Sequence, residues 1–255
     1  MVQTGRPYRR LVAIADTEWY SARDTVLQHE AQDAFVEALE AAGRVAGIDR
    51  SAWRRQPNGD GEVAVLPADV DETALLGGFL QALDAHLRRY NAHRSAEARI
   101  RVRIAFHQGL IFVDSRNGFA GDAVNIAARL VDAPPLKAAF REFPAANVAC
   151  VVSEGIYQDV VAGGYDGIRR DRFRRVEVSL PEKDFTAYAW IQIVGEDATA
   201  LSPQSVERRA NRTPRTPARP AAPAGGVSTG DITNTNGQVA VGDNSRAIGT
   251  IGGPQ

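Results

Sequence analysis

Asp16 and Asp60 are the residues whose type and placement most invite chemistry. Asp16 ends the apolar run Leu11-Val12-Ala13-Ile14-Ala15, and Asp60 lies in the turn Asn58-Gly59-Asp60-Gly61 between two strand-like segments. Two carboxylates at adjoining strand ends can hold two hard divalent ions, which bridge a triphosphate and activate a hydroxyl for in-line attack on phosphorus. Taken singly, each acid has a structural explanation: Asp16 as a strand-end or helix-entry residue, Asp60 as a turn former. The segment Thr17-Glu18-Trp19-Tyr20-Ser21 that follows would offer backbone N–H groups to phosphate oxygens. Further along, Asn125 and Arg129 stand four apart in a small, apolar, helical segment and so project from one face. An amide and a guanidinium there can orient a ribose and neutralise charge growing on a pentavalent phosphate. Without context they would be two solvated polar residues on a helix.

For the two acids to meet, particular elements must lie between them. Residues 9–16 predict a buried strand. Over 24–47, Leu27, Ala31, Ala34, Phe35, Ala38, Leu39 and Ala42 recur at helical spacing. Segments 51–57 and 62–66 flank the Asn-Gly and Asp-Gly pairs, which are hairpin signals. A second helix spans 71–93, and 99–107 alternates basic and apolar residues as a half-buried strand does. The order β-α-β-β-α-β is the ferredoxin-like pattern of an α+β sandwich. Its first two strands run parallel with the third inserted antiparallel between them, so Asp16 and Asp60 come to one edge.

Beyond this core, a short strand is predicted at 110–113, a helix at 122–131 and a less regular stretch around Pro134-Pro135 and Pro144. A strand (147–152), a short helix (154–161) and a strand pair (173–180 and 185–194) form a β-α-β-β extension. One domain thus covers 1–195, followed by a disordered Pro/Ala/Arg-rich linker over 196–226. Residues 227–255 form a low-complexity tail of Gly, Asn and β-formers, suited either to strand stacking between molecules or to no role at all.

Composition narrows the classes. The 255 residues are 44% hydrophobic, enough for one substantial core plus a tail, and the formal net charge of −1 gives no general drive toward nucleic acid or acidic membrane. Cys150 is the single cysteine, so an intrachain disulfide and a cysteine-based zinc site are excluded. With no apolar stretch of membrane-spanning length and no signal-peptide core, the reading is a cytoplasmic protein without a membrane span. His29, His86, His93 and His107 lack metal-ligand spacing. The run Arg169, Arg170, Arg172, Arg174 and Arg175 has few interleaved aromatics and reads as a strand edge rather than a specific nucleic-acid site. Neither a P-loop nor a Gly-x-Gly-x-x-Gly motif occurs.

Four segments, in order, resemble the class III nucleotide cyclases. Asp16 to Ser21 resembles the family's first metal motif, Asp-Ile-x-Gly-Phe-Thr, departing from it at the Gly and Phe positions. Asn58 to Leu66 is similar to its second metal hairpin. Arg103-Ile104-Ala105-Phe106-His107-Gln108-Gly109 resembles its Arg-Ile-Gly-Ile-His-Thr-Gly strand, and 121–130 resembles its Gly-x-x-Val-Asn-x-Ala-x-Arg-Leu helix. The resemblance covers residues 9–195. It implies two Mn²⁺ or Mg²⁺ ions per site on Asp16 and Asp60, with the Thr17 carbonyl as a further ligand. Asn125 would position the ribose, Arg129 would stabilise the transition state, and Trp19, Tyr20 and Ser21 would lie along the nucleotide. A late Lys or Arg contacts the triphosphate in this family, and Lys183 is the candidate. The resemblance further implies a homodimer, with metals from one subunit and the Asn/Arg helix from the other. The 3′-hydroxyl of a nucleoside triphosphate would attack its α-phosphate and release pyrophosphate.

The side chains that read a purine in this family stand four residues before the second metal Asp and seven before the Asn. Here those positions hold Gln56 and Gly118, neither an adenine nor a guanine pair. Trp53 and Arg54, just upstream, could narrow the pocket toward a pyrimidine and reach its carbonyl, with Trp53 alternatively a core residue. The chain is also similar to the compact cyclases of bacterial antiphage pyrimidine-cyclase (Pycsar) systems. Those make cyclic UMP or cyclic CMP to activate a separate effector, and UTP is favoured here over CTP. A purine cyclase in signalling and a catalytically inactive adaptor assembling through its tail are the competing readings.

Overall fold

Everything in the fold is arranged around β1 (Tyr8–Thr17), an apolar strand buried along most of its length. The computed structural model describes residues 6–115 and 118–197, so the linker from 198 and the whole tail lie outside the described residues. β1 pairs antiparallel with β3 (Gly61–Val65) on one side and β4 (Val102–Ser115) on the other. β2 (Arg54–Asn58) closes that edge by pairing antiparallel with β3, which therefore sits between the parallel strands β1 and β2, as the sequence predicts. The sheet order is β2-β3-β1-β4-β6-β8-β7, with β6 (Val148–Ser153) parallel to β4, β8 antiparallel to β6 and β7 antiparallel to β8. β7 is Arg174–Leu180 and β8 is Phe185–Ile193; a short strand not read from the sequence, β5 (Gly118–Ala120), pairs with β4.

Alternation along β1 supplies two cores. Leu11, Ala13 and Ala15 face α1 (Thr25–Val45) and α3 (Leu80–Asn91), in a cluster with Phe35, Leu39, Phe79 and Leu83. Val12 and Ile14 face α4 (Asp122–Val131) and α5 (Pro134–Glu142), with Leu130, Leu136 and Phe140. Asp16 continues this second series. α1 opens on an Asp24 carboxylate that accepts from the Leu27 N–H, a cap worth about 1 kcal/mol. The second predicted helix is α2 (Glu72–Ala74), capped by Asp71, continued by a π turn at Leu75–Phe79 and then α3. β6 runs into α6 (Glu154–Ile156) and a further π turn at Tyr157–Val161.

Four predicted elements are corrected. The strand expected at 51–57 starts at Arg54, because Arg50–Ala52 form a 3₁₀ turn with the Asp49 carboxylate accepting from the Ser51 N–H. The strands expected at 99–107 and 110–113 are one strand, β4. Gly109 in its interior serves helix packing rather than a break, since a Cβ there would lie 2.9 Å from the Ala123 Cβ of α4. The irregular stretch around Pro134-Pro135 is α5. Its prolines sit in the first helical turn, where a missing N–H costs nothing.

Candidate active site

The corner between β1 and the β2–β3 hairpin is pinned by several short-range interactions. Asp16 pairs directly with Gly61, and a Cβ on Gly61 would sit 2.3 Å from the Ala15 carbonyl, so only glycine lets the strands meet there. Gly59 takes the positive φ of 59° that the hairpin turn requires. The Thr17 N–H and hydroxyl both donate to the Asp60 carbonyl at 3.0 Å, and Gln32 Nε2 of α1 donates to the Gly59 carbonyl at 2.8 Å. Thr17 is thus buried as a clamp on the turn.

α4 approaches this corner from across the sheet. Gly121, at φ 149°, has no room for a side chain, because a Cβ would lie 2.7 Å from the Leu110 carbonyl. Together with Gly109 it lets α4 settle close on β4. A cavity of about 490 Å³ remains between helix and corner, with Asp16, Asp60, Asn125, Arg129, Asp132 and Lys183 among its lining residues. Arg129 lies over the Phe185 ring, its guanidinium carbon 4.9 Å from the centroid. Lys183 reaches the cavity from the turn Pro181–Lys183 between β7 and β8.

The electrostatics centre on Asp16. Burial pushes its carboxyl up to about 6; Arg103 opposes that rise, while Asp60 and Asp132 add to it. Arg103 Nη2 lies 2.9 Å from Asp16 Oδ2, and its Nη1 lies 3.9 Å from Asp132 Oδ1, which Lys137 also engages. Asp16 Oδ1 is buried with no hydrogen-bond partner. Arg103, Asp132 and Lys137 were not singled out from the sequence. The one signal for Arg103 was a basic residue in the resembling strand motif, and its partner is 87 positions away.

The other expected site residues divide. Through the register, Arg54 and Gln56 fall on the same sheet face as Asp16, opposite Val65 and Val63. Gln56 lies against Gly118, where a Cβ would come within 2.2 Å of its Oε1, so the two positions of interest for base reading touch. Trp53 does not join them. It is 5% exposed in the α1/α3 core, 5.9 Å from the Phe79 ring and under the Arg50 guanidinium, so it packs as a core residue. Trp19 precedes a 3₁₀ turn over Tyr20–Ala22; Trp19, Tyr20 and Ser21 are not among the residues lining the cavity, and Trp19 lines a separate space of about 460 Å³ with Arg23, Arg101 and Pro144.

No family model matches the chain, and no curated protein does. Solved structures do match in fold. An adenylate/guanylate cyclase/hydrolase from Silicibacter pomeroyi aligns over 74% of this chain and 99% of its own, with a TM-score of 0.50 and 19% identity. The guanylyl cyclase Cya2 aligns over 78% of this chain and 98% of its own, with a TM-score of 0.50 and 12% identity. The described fold is that of the adenylate/guanylate cyclase catalytic domains.

Proposed function

We propose that the chain is a divalent-metal-dependent nucleotide cyclase acting on a pyrimidine nucleoside triphosphate, UTP ahead of CTP. One observation carries this reading: a single cavity gathers Asp16 and Asp60 on one wall and Asn125, Arg129 and Lys183 on the others. The donor set suits Mg²⁺ or Mn²⁺, which bind through one or two carboxylates completed by water and substrate oxygens. Asp16 offers a buried oxygen that no protein group satisfies.

Bound there, the ions would draw charge from the triphosphate and acidify the ribose 3′-hydroxyl. The chain supplies the rest. Asp16 and Asp60 fix the site at the hairpin corner, while Lys183 gives a cationic wall for phosphate oxygens. Asn125 orients the ribose so that O3′ faces the α-phosphorus. As the O3′–Pα bond forms and the bond to the leaving pyrophosphate breaks, the 3′ proton passes to solvent. Arg129 neutralises the charge that grows on the equatorial oxygens. In the homodimer that the resemblance implies, α4 of one copy would instead face the acidic corner of the other, so the same residues would be drawn from two chains rather than from the one cavity; mixing two inactive chains distinguishes the arrangements.

With Trp53 in the core, the pyrimidine preference rests on Gln56 and Arg54 and on the resemblance to the antiphage cyclases. Gln56 carries both a donor and an acceptor and occupies the space beside Gly118, where a purine-reading partner would otherwise stand. The cyclic product would serve as a messenger to a separate effector during phage infection. Incubation with each of the four NTPs and Mn²⁺, with products identified by mass, tests the proposal. Cyclic UMP or cyclic CMP with pyrophosphate is expected, abolished by Asp60→Ala. Preference for ATP or GTP would remove the pyrimidine assignment, and four intact NTPs would remove the enzyme.

A further inference from the structure

Arg103 is a buried cation whose charge is matched mainly by one group. Its side chain is 10% exposed, its Nη2 lies 2.9 Å from Asp16 Oδ2, and its Nε is buried with no hydrogen-bond partner. Among the described residues its other ion-pair partner is Asp132, 3.9 Å from Nη1 and itself engaged by Lys137. A buried charge is tolerated only while a partner of opposite sign stays with it. A divalent cation on Asp16 would take the carboxylate oxygens and repel the guanidinium at the same time. Arg103 then needs another anion within a side-chain swing, and Asp132 is at that distance. Asp132 caps the C-terminal end of α4, lines the same cavity and is 53% exposed, so its carboxylate has room to turn.

We infer that Asp132 is a positioning residue that receives Arg103 when a divalent cation occupies Asp16, with Lys137 holding Asp132 in place until then. The inference rests on reading the cavity as a cation site. In this arrangement Arg103 is an internal cation that the incoming ion displaces, and the Asp132–Lys137 pair sets how readily it leaves. The exchange also keeps the guanidinium beside Asp132, a lining residue of the cavity, instead of letting it escape to solvent.

A simpler account gives Asp132 only a general electrostatic pull on any cation. A double-mutant cycle separates the two, because a general field acts whether or not Arg103 is present. The measurement is binding of Mn²⁺ alone to the full-length chain, followed by the paramagnetic resonance of the free ion, with every variant checked by thermal melting. Arg103→Gln should tighten binding about tenfold, and Asp132→Asn should weaken it about tenfold in the native background but less than about twofold beside Arg103→Gln. Lys137→Ala, at a half-buried position of α5, should tighten binding only while Arg103 is present. Equal losses from Asp132→Asn in both backgrounds would overturn the exchange while leaving the cation site intact, provided Asp16→Asn abolishes binding. Mn²⁺ binding that is absent, or indifferent to Asp16→Asn, would overturn both. If Arg103→Gln fails to fold, Arg103→Lys keeps the charge and should keep the dependence on Asp132; its disappearance there would also overturn the exchange.

Discussion

Two carboxylates one step apart across the β1–β3 pairing have opposite surroundings. Glu62 faces the α1/α3 side, where Arg50 Nη2 bonds both its oxygens at 2.9 and 3.1 Å and Arg50 is 3% exposed. Asp16 faces the α4 side, where Arg103 reaches one oxygen and the other has no partner. The rest of each face follows suit. The Glu62 side is filled by Trp53, Phe79, Leu80, Leu83 and Leu87, whereas the Asp16 side ends in a cavity beneath a helix of small residues. Strand alternation lets one sheet devote a face to stability and the other to a site, because neighbours in sequence answer to different layers. An acid satisfied on all sides holds structure, and one left short of a partner is available for chemistry.

The largest expected effect breaks the site without touching the frame. Asp60→Ala should lower cyclase turnover by on the order of 10³-fold or more, with little change in melting temperature. The turn is held through the Asp60 carbonyl, which the substitution retains. Arg129→Ala should lose about 10²–10³-fold in kcat with KM nearly constant, since its contribution belongs to the transition state. Mixing the two inactive chains should restore part of the activity if subunits share sites. Confirmed heterodimers without rescue would place each site within one chain.

The mirror experiment breaks the frame. Glu62→Ala should destabilise the protein by about 3 kcal/mol, because among the described residues it leaves the buried Arg50 guanidinium with Glu40, at 3.4 Å, as its remaining carboxylate. Urea melts measure it. If Glu62→Ala cost no more stability than Asp60→Ala, the division of labour between the faces would be wrong.

What could be read in advance follows the range of the forces involved. Asn58-Gly59-Asp60-Gly61 announced its hairpin because turn chemistry is local, and α4 matched its predicted span because its spacing and its glycine start lie within one segment. The Arg103–Asp16 pair was invisible, since it depends on the register between β1 and β4 and not on any motif. Trp53, open in the sequence between the base pocket and the core, packs in the core because the 3₁₀ turn at Arg50–Ala52 delays the start of β2 to Arg54 and sets the indole against Phe79. The prolines of α5 read as breakers although, in the first turn of a helix, they cost no hydrogen bond.

A pH series sharpens the comparison at an intermediate scale. Because burial holds the Asp16 carboxyl at about 6 against an ordinary 3.8, the folded chain binds that proton more tightly than the unfolded chain does. Asp16 therefore makes the metal-free protein lose stability as pH rises from about 4 to about 6, by up to about 3 kcal/mol, with no further change above that. Urea melts in the presence of a chelator should show the slope in the native chain and a flatter curve in Asp16→Asn. Because ion and proton compete for the same oxygens, Mn²⁺ affinity should fall about tenfold per pH unit below 6. A slope of the opposite sign would mean that Arg103, not burial, governs this carboxylate.

The smallest effect concerns the turn that belongs to neither face. Trp19 stands at the glycine position of the resembling motif and holds a left-handed φ of 58° while 61% exposed. For a residue with a side chain that conformation costs about 1–2 kcal/mol, and glycine escapes it. In a helix or strand, alanine would be the more stable replacement, because glycine loses more backbone freedom on folding. Here the order should reverse: Trp19→Gly should exceed Trp19→Ala in stability by about 1 kcal/mol in urea melts. Alanine equal to or better than glycine would show that the turn relaxes out of the left-handed region in solution. The backbone after Asp16 would then be free to adopt another path, and the left-handed entry into the Tyr20–Ala22 turn would lose its physical basis.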